Sequence, residues 1–398
     1  LSATRTGGAM YQQFYQRFLQ ANQGKQHFAC HSHHYWPDVS RDAMLEYWDD
    51  TARLVDDKWR YIFGEKVPQT QQLIADILQL PQPEQIVFAP NTHELVMRLL
   101  SCFDLRQPLR ILTTDSEFYS FSRQVKRLAE YDNVQVDIVA TEPFASFEQR
   151  FTDAAAANRY QLIFCSQVFF NSGVAVSNLT GFVQQIAAAS EAMIVIDGYH
   201  GFMALPTDLS AIAERIFYLA GSYKYAQGGE GCCFMAVPLG SNERPLYTGW
   251  FAEFGTLAAE KSATVLYSED GYRFAGATMD FSALYRLNAV LRLFKQQGIS
   301  VGRIHQYVQQ LQQAFLQKLA AVQHAKLHAD NLVMHDLANH GHFLTFRPSS
   351  VQEVAELAAQ LKRAGIETDY RADRLRFGFA LYHNSAQYDL SCLATTAG

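Results

Sequence analysis

The stretch Ser222-Tyr223-Lys224-Tyr225, followed by Gly228-Gly229-Glu230-Gly231, decides how the rest of the chain is read. It comes directly after the apolar run Ile216-Phe217-Tyr218-Leu219-Ala220, whose length and composition predict a buried strand. A lysine at such a strand end has two readings. It can snorkel, with its stem on apolar surface and its ammonium in water. Or it can be desolvated, which lowers its pKa toward the neutral amine that attacks a carbonyl and forms a Schiff base. The remaining sequence has to choose between them.

Outward from Lys224, strand-like runs recur at Gln85–Ala89, Leu109–Thr113, Val134–Ala140, Leu162–Val168, Ala192–Ile196, Ile216–Ala220 and Cys232–Val237. Amphipathic stretches near 93–104, 120–130, 145–158, 178–190 and 207–214 separate most of them. This alternation predicts an α/β fold, with a largely parallel sheet covered by helices on both faces. Ligands of such sheets bind outside the carboxyl ends of the strands. Residues 10–60 read as mostly helical, interrupted by His31-Ser32-His33-His34-Tyr35-Trp36-Pro37. Residues 247–280 are Gly- and aromatic-rich, and helices are predicted near 280–296 and 301–323. Two strand-like runs, Phe343–Phe346 and Leu375–Phe379, flank an amphipathic helix over 351–364. The expected organisation is a helical N-terminal segment (1–60) contributing to site and interface, a large domain (61–285) and a small C-terminal α+β domain (286–398).

With 398 residues and 48% hydrophobic content, the chain can bury a large core. A formal charge of −6 argues against nucleic-acid and anionic-membrane partners, whose footprint should be basic. Charged residues at 18% and aromatics at 13% predict much surface buried between subunits. No apolar run approaches the roughly 20 residues needed to span a bilayer. The first 20 residues are polar and aromatic, unlike a signal peptide, which predicts a cytoplasmic protein. The six cysteines form no C-x-x-C pair, and four lie in apolar stretches, so they read as buried thiols. The three histidines of the 31–34 tract lack cysteine or carboxylate partners at ligand spacing, and no metal site is assigned.

The segments just past the strand ends carry the chemistry. Pro90-Asn91-Thr92-His93-Glu94 opens a helix, either as an ordinary N-cap or as an anion site for phosphate. Asp115-Ser116-Glu117-Phe118-Tyr119-Ser120 places an aromatic where it could stack on a flat cofactor or join the core. Ile196-Asp197-Gly198-Tyr199-His200-Gly201 closes a Val/Ile-rich strand with an aspartate that is costly to bury without a partner such as a protonated ring nitrogen. One cofactor needs all these pieces together. Pyridoxal phosphate requires a lysine, an acidic partner for its pyridinium and an anion site for its phosphate.

The sequence resembles the class V aminotransferase superfamily of pyridoxal-phosphate enzymes (fold type I), and within it kynureninase. The resemblance runs from about His27 to Asp389 and rests on Asp197-Gly198-Tyr199-His200, Ser222-Tyr223-Lys224-Tyr225, Gly249-Trp250-Phe251, Leu375-Arg376-Phe377 and Leu381-Tyr382. It implies that Lys224 carries pyridoxal 5'-phosphate covalently as an aldimine and later shuttles the Cα proton. It implies that Asp197 holds the pyridine nitrogen protonated, with His200 near the ring and Phe118 stacked on it. Asn91, Thr92, Tyr223 and Trp250 would contact phosphate, and Arg376 would clamp the substrate α-carboxylate. A homodimer with shared active sites is implied, Thr278 reaching the neighbouring subunit's cofactor.

The sequence also departs from the kynureninase pattern. Glu253 stands where a histidine near the substrate ring is usual, Phe118-Tyr119-Ser120-Phe121 replaces Phe-Pro-Ser/Thr-Asp, and the His31–His34 tract keeps only Ser32 of the N-terminal Asn-Ser-Leu-Gly element. The expected activity is therefore kynureninase-like Cβ–Cγ hydrolysis of an amino acid with an altered substrate pocket, Ser32 and Glu253 included. Tyr223 is the candidate proton donor. The alternatives are a class V aminotransferase, an eliminating lyase or epimerase of the superfamily, and a catalytically silent binding protein. A cysteine desulfurase is disfavoured, because no cysteine lies on an obvious polar loop facing the site.

Overall fold

The computed structural model describes residues 9–256 and 263–394. The seven apolar runs around Lys224 become strands of one sheet: β1 (Ile86–Ala89), β2 (Leu109–Thr114), β3 (Val134–Val139), β4 (Leu162–Ser166), β5 (Met193–Asp197), β6 (Ile216–Gly221) and β7 (Cys233–Ala236). Their order is β1-β7-β6-β5-β4-β2-β3. The pairs β3/β2, β2/β4, β4/β5 and β5/β6 are parallel, while β7 runs antiparallel to both β6 and β1. Six strands thus end on one edge of the sheet, where β7 begins. Strands β1, β4, β6 and β7 are buried along their whole length, as expected of runs covered on both faces.

The register fixes which residues stand at that edge. Ser166 of β4 is level with Asp197 of β5, Asp197 with Leu219 of β6, and Gly221 of β6 with Cys233 of β7. A one-residue slip would turn every side chain of a strand to the other face, so the core pins these positions.

Toward the C-terminus, β8 (Phe343–Phe346), β9 (Asp369–Arg371) and β10 (Arg374–Gly378) form an antiparallel sheet in the order β9-β10-β8. Its core of Leu344, Phe346, Leu375 and Phe377 packs with Phe315 and with helix residues Val354, Leu357 and Leu361. Phe28 belongs to the same cluster. The N-terminal segment is bound there by a short parallel pairing of Gln26–His27 with Ile366–Glu367. Nothing in the sequence pattern predicted that pairing.

Helix positions match expectation at Ser282–Gln296, Val301–Val322 and Val351–Arg363. One prediction is corrected. Residues 207–214 form turns, not a helix, because the Asp208 carboxylate accepts the backbone N–H and the hydroxyl of Ser210 and closes the chain locally. The apolar spacing there reflects anchoring of Leu209 and Ile212 in the core.

Candidate active site

Lys224 leaves the end of β6 in a loop that folds back at once to start β7. The Ser222 hydroxyl donates to Gly229 O, and the Gly228 N–H donates to Ser222 O at 2.8 Å. Gly229 and Gly231 have φ of +74° and +101°, which a side chain would make strained. The fold-back leaves Lys224 on the wall of a cavity of about 260 Å³ at the sheet edge. Only 5% of its surface is exposed. Nζ lies 2.7 Å from His200 Nε2, 4.9 Å from the Tyr199 ring centre and 5.2 Å from that of Phe118. Burial pushes the amine down to about 7, partly opposed by the charge of Asp197. This lysine is buried and does not snorkel.

Asp197 closes β5 and lines the same cavity. One of its oxygens accepts the Tyr199 backbone N–H at 2.9 Å, and no side chain bonds to it among the described residues. Burial raises its pKa, with the Tyr199 N–H and Lys224 working against that. His200 is buried and kept neutral, first by desolvation and then by Lys224, and its Nδ1 has no partner among the described residues. Phe118 precedes the helix Tyr119–Leu128 and meets Phe170 edge-on at 5.5 Å. Tyr223 is half-buried against Tyr199, and burial pushes its hydroxyl up to about 12.

At the cavity's other end, Asn91 caps the helix Thr92–Leu100 by accepting the Glu94 N–H at 2.9 Å. Pro90, Asn91, Thr92 and His93 line the cavity there. The cap is observed, and it does not exclude the anion reading of this turn. The cap uses the Asn91 side chain, while the first-turn N–H groups and the positive helix end stand at the cavity.

Arg376 lies on β10, 3% exposed, beside the cavity wall and not on its lining. Its Nη1 donates to Phe170 O, and its Nη2 donates to Asp369. Phe170 itself lines the cavity. Ser32 is half-buried, with its hydroxyl 3.2 Å from His33 Nδ1, and is not part of the lining.

Three sequence candidates stand elsewhere in a single chain. Trp250 and Thr278 are exposed and joined by a 3.3 Å contact from Nε1 to Oγ1. The Glu253 carboxylate accepts the Leu266 N–H at 2.9 Å. None of the three lines the cavity. Conversely, the sequence reading gave no role to Tyr199, to Cys233 on the cavity wall, or to Glu117. The Glu117 carboxylate accepts from Thr114 Oγ1 at 2.7 Å and from the Ser166 N–H at 3.1 Å. Burial pushes it up to about 7. Its position directly before Phe118 was the available signal.

The residues fit pyridoxal phosphate in charge and shape. A buried amine, a desolvated carboxylate without a side-chain partner, an aromatic ring and a helix N-terminus border one cavity, in the arrangement an aldehyde, a pyridinium, a flat ring and a phosphate require. Among the described residues there is no cluster of His, Cys, Asp and Glu that could hold a metal ion. No described helix is long and apolar enough to cross a membrane.

Comparison with known proteins agrees with this geometry. The family model described as aminotransferase class-V matches residues 41–369. A cysteine desulfurase of Yersinia pseudotuberculosis serotype O:1b (strain IP 31758) is 23% identical over 334 residues, covering 77% of this chain and 78% of that protein. Among solved structures, the cystine C–S lyase C-DES in complex with its reaction product cysteine persulfide superposes with a TM-score of 0.74 at 18% identity, covering 92% of this chain and 96% of that one. The apo cysteine desulfurase of Thermococcus onnurineus NA1 gives 0.75 at 15% identity, with 96% of each chain covered. The chain belongs to the class-V aminotransferase family, has the fold-type-I architecture, and takes pyridoxal 5'-phosphate as its cofactor. The narrower resemblance to kynureninase finds no support among these relatives.

Proposed function

We propose that this class-V family member is a carbon–sulfur lyase, breaking the bond between Cβ and sulfur in an α-amino acid. The observation that carries the reading is the desolvated Lys224 amine, 2.7 Å from His200 Nε2 and in the field of the Asp197 carboxylate. When bound, pyridoxal phosphate supplies an electron-accepting ring that stabilises the negative charge left at Cα. Lys224 Nζ, held down to about 7 and so partly neutral near that pH, takes the Cα proton, with the neutral His200 Nε2 2.7 Å away to orient it. Asp197 would hold positive charge at the ring nitrogen, Phe118 would pack against the ring, and the Asn91–Thr92 turn would receive the phosphate. Arg376 binds the α-carboxylate. Loss of the Cα proton then drives departure of the sulfur from Cβ, with the Tyr223 hydroxyl as hydrogen-bond donor to the leaving group.

The cysteines bear on where that sulfur goes. Transfer to the enzyme would need a thiolate within reach of the substrate. Cys233 borders the cavity but is buried, and burial pushes its thiol up to about 12. Cys30, Cys165 and Cys232 are fully buried, and Cys102 and Cys392 are not on the cavity lining. The sulfur accordingly leaves as a free product. The relatives named cysteine desulfurase and cystine C–S lyase support the bond that is broken; the cysteine inventory supports the manner of release.

A second reading, Cβ–Cγ hydrolysis, is favoured by one feature, the Tyr223 ring beside Lys224, 5.8 Å from Nζ to the ring centre. The test is incubation of the yellow holoenzyme with cysteine, cystine and kynurenine. Pyruvate with sulfide or persulfide supports the lyase, whereas alanine with anthranilate supports hydrolysis. A keto acid accompanied by the pyridoxamine form of the cofactor would indicate transamination and sink both. We also propose a homodimer, supported by the exposed Leu246, Tyr247 and Trp250, with the mass in solution as its test.

A further inference from the structure

Arg376 is held by two neighbours, and the second has a neighbour of its own. A guanidinium has five N–H donors. One Nη1 donor goes to Phe170 O and one Nη2 donor to Asp369, which among the described residues leaves three, one of them a buried Nε without a partner. Asp369 is directly opposite Arg376 in the antiparallel pairing of β9 with β10. On its far side stands His31, with Nε2 3.6 Å from the same Asp369 oxygen.

His31 comes from the N-terminal histidine tract, which the proposed chemistry leaves unused. It is 1% exposed and stacked on Phe343 with 4.7 Å between ring centres. The Arg376 guanidinium is 5.8 Å from the centre of the same ring. Gly378 on β10 makes the room, because a Cβ there would come within 2.6 Å of His31 Nδ1. The chain has thus shaped a strand of the small sheet to admit an imidazole from its other end.

We propose that His31 is a positioning residue for substrate recognition, acting through Asp369 to fix the plane in which Arg376 presents its free N–H groups to the substrate α-carboxylate. This rests on the reading of Arg376 as the carboxylate clamp. A bidentate pair depends on the guanidinium plane, so a small rotation forfeits one of its two hydrogen bonds. Phe170 O restrains one Nη and Asp369 the other. Asp369 in turn is steadied by His31 inside the protein and by Arg371, 3.1 Å away on the outside. Burial alone would raise the Asp369 carboxyl, but His31, Arg376 and Arg371 together hold it well below its usual range, so it stays ionised, accepting from the two arginines with the His31 ring 3.6 Å away. Burial pushes His31 down to about 3, so the imidazole is neutral, and its Nε2 faces Asp369 at 3.6 Å without adding charge, a small ring rotation short of a hydrogen bond.

The test compares His31→Phe, His31→Gln and Arg376→Lys as holoenzymes. His31→Phe keeps a ring on Phe343 and removes the donor. It should raise KM for the amino acid about tenfold with kcat changed less than twofold, the loss of one charge-assisted hydrogen bond. His31→Gln, whose amide can again donate to Asp369, should recover most of the loss. Binding of the amino acid, read from the cofactor absorbance, should weaken in parallel, while binding of the corresponding amino-acid amide should not change. Unchanged KM in His31→Phe, or kcat falling with KM unchanged, overturns the proposal. If Arg376→Lys also leaves KM unchanged, the clamp reading itself has failed. If only the His31 variants are silent, the clamp stands and the positioning role falls. Should His31→Phe not fold, Asp369→Asn takes its place, with the same rise in KM expected and no rise overturning the idea.

Discussion

Lys224, Asp197 and Phe118 stand at or just past the ends of strands in one sheet, whereas Arg376, Asp369 and His31 are drawn from a separate small sheet and from the opposite end of the chain. The first group is set by backbone register: shifting Asp197 relative to Ser166 or Leu219 would mean breaking a buried ladder. The second group joins one strand pairing, Asp369 opposite Arg376, to a loop from the N-terminus, through one half-buried carboxylate and the short Gln26–His27 pairing to Ile366–Glu367. The difference teaches where the molecule can be altered without stopping chemistry. Damage at the sheet end should abolish turnover, and damage at the carboxylate end should change which concentration of substrate is needed.

The largest expected effect is at the sheet end. Lys224→Met should lower turnover by about 10³-fold or more, and borohydride should no longer fix cofactor to the protein, as intact mass will show. The same variant should stabilise the cofactor-free protein. Lys224 is held at about 7 when folded against an ordinary value of 10.5, so below pH 7 both states are protonated and the full cost of a buried charge is present. Between pH 7 and 10.5 the unfolded chain binds more protons, and wild-type stability rises with pH. The melting temperature of Lys224→Met should therefore exceed that of wild type at about pH 6, with the gap closing toward about pH 10. A constant gap across that range would mean the amine is not desolvated.

Asp197→Asn comes next. The amide keeps the shape and the Tyr199 contact but cannot hold positive charge at the ring nitrogen. Turnover should fall on the order of 10²-fold, with cofactor still bound and its absorbance shifted. Arg376→Lys belongs to the other region, and its signature should be different in kind. Lysine is a point charge without a fork, so KM should rise roughly 10–100-fold while kcat is largely retained. If kcat falls as far as in Asp197→Asn, the two ends are not separable and the comparison fails.

The sheet was legible because buried parallel strands read as continuous apolar runs, and because each residue of the cofactor group sits at a fixed place relative to one of those runs. Asp197 follows Ile194-Val195-Ile196, and Lys224 follows Ile216–Ala220 by four residues. Of the second group only Arg376 stood out in the sequence, through its setting between Leu375 and Phe377. Asp369 and His31 did not, since their meeting depends on cross-strand pairing and on a loop arriving from the N-terminus, neither of which has a local period. Glu117 was hidden for a related reason: its partners, Thr114 and Ser166, lie on two different strands. The narrowing to kynureninase relied on residues flanking the cofactor, and flanking residues report a ring's neighbours more directly than the bond that is broken. The Glu253 carboxylate accepts the Leu266 N–H and does not line the cavity of its own chain.

The smallest effect tests whether the phosphate end belongs with the sheet or stands apart from it. Asn91 spends its side-chain oxygen on the Glu94 N–H, so Asn91→Ala removes a helix cap and no direct cofactor contact that the capping geometry requires. The cap is worth about 1 kcal/mol. Without it the first turn of Thr92–Leu100 frays, and the N–H groups that would receive phosphate lose their common direction. Cofactor affinity should therefore fall by about fivefold, in proportion to that energy, with kcat at saturating cofactor unchanged. Asn91→Ser, which can still cap, should restore it, as titration of the apoenzyme with pyridoxal phosphate will show. If Asn91→Ser fails to restore affinity while the melting temperature recovers, Asn91 touches the phosphate itself, and the helix end is a side-chain site and not a backbone one.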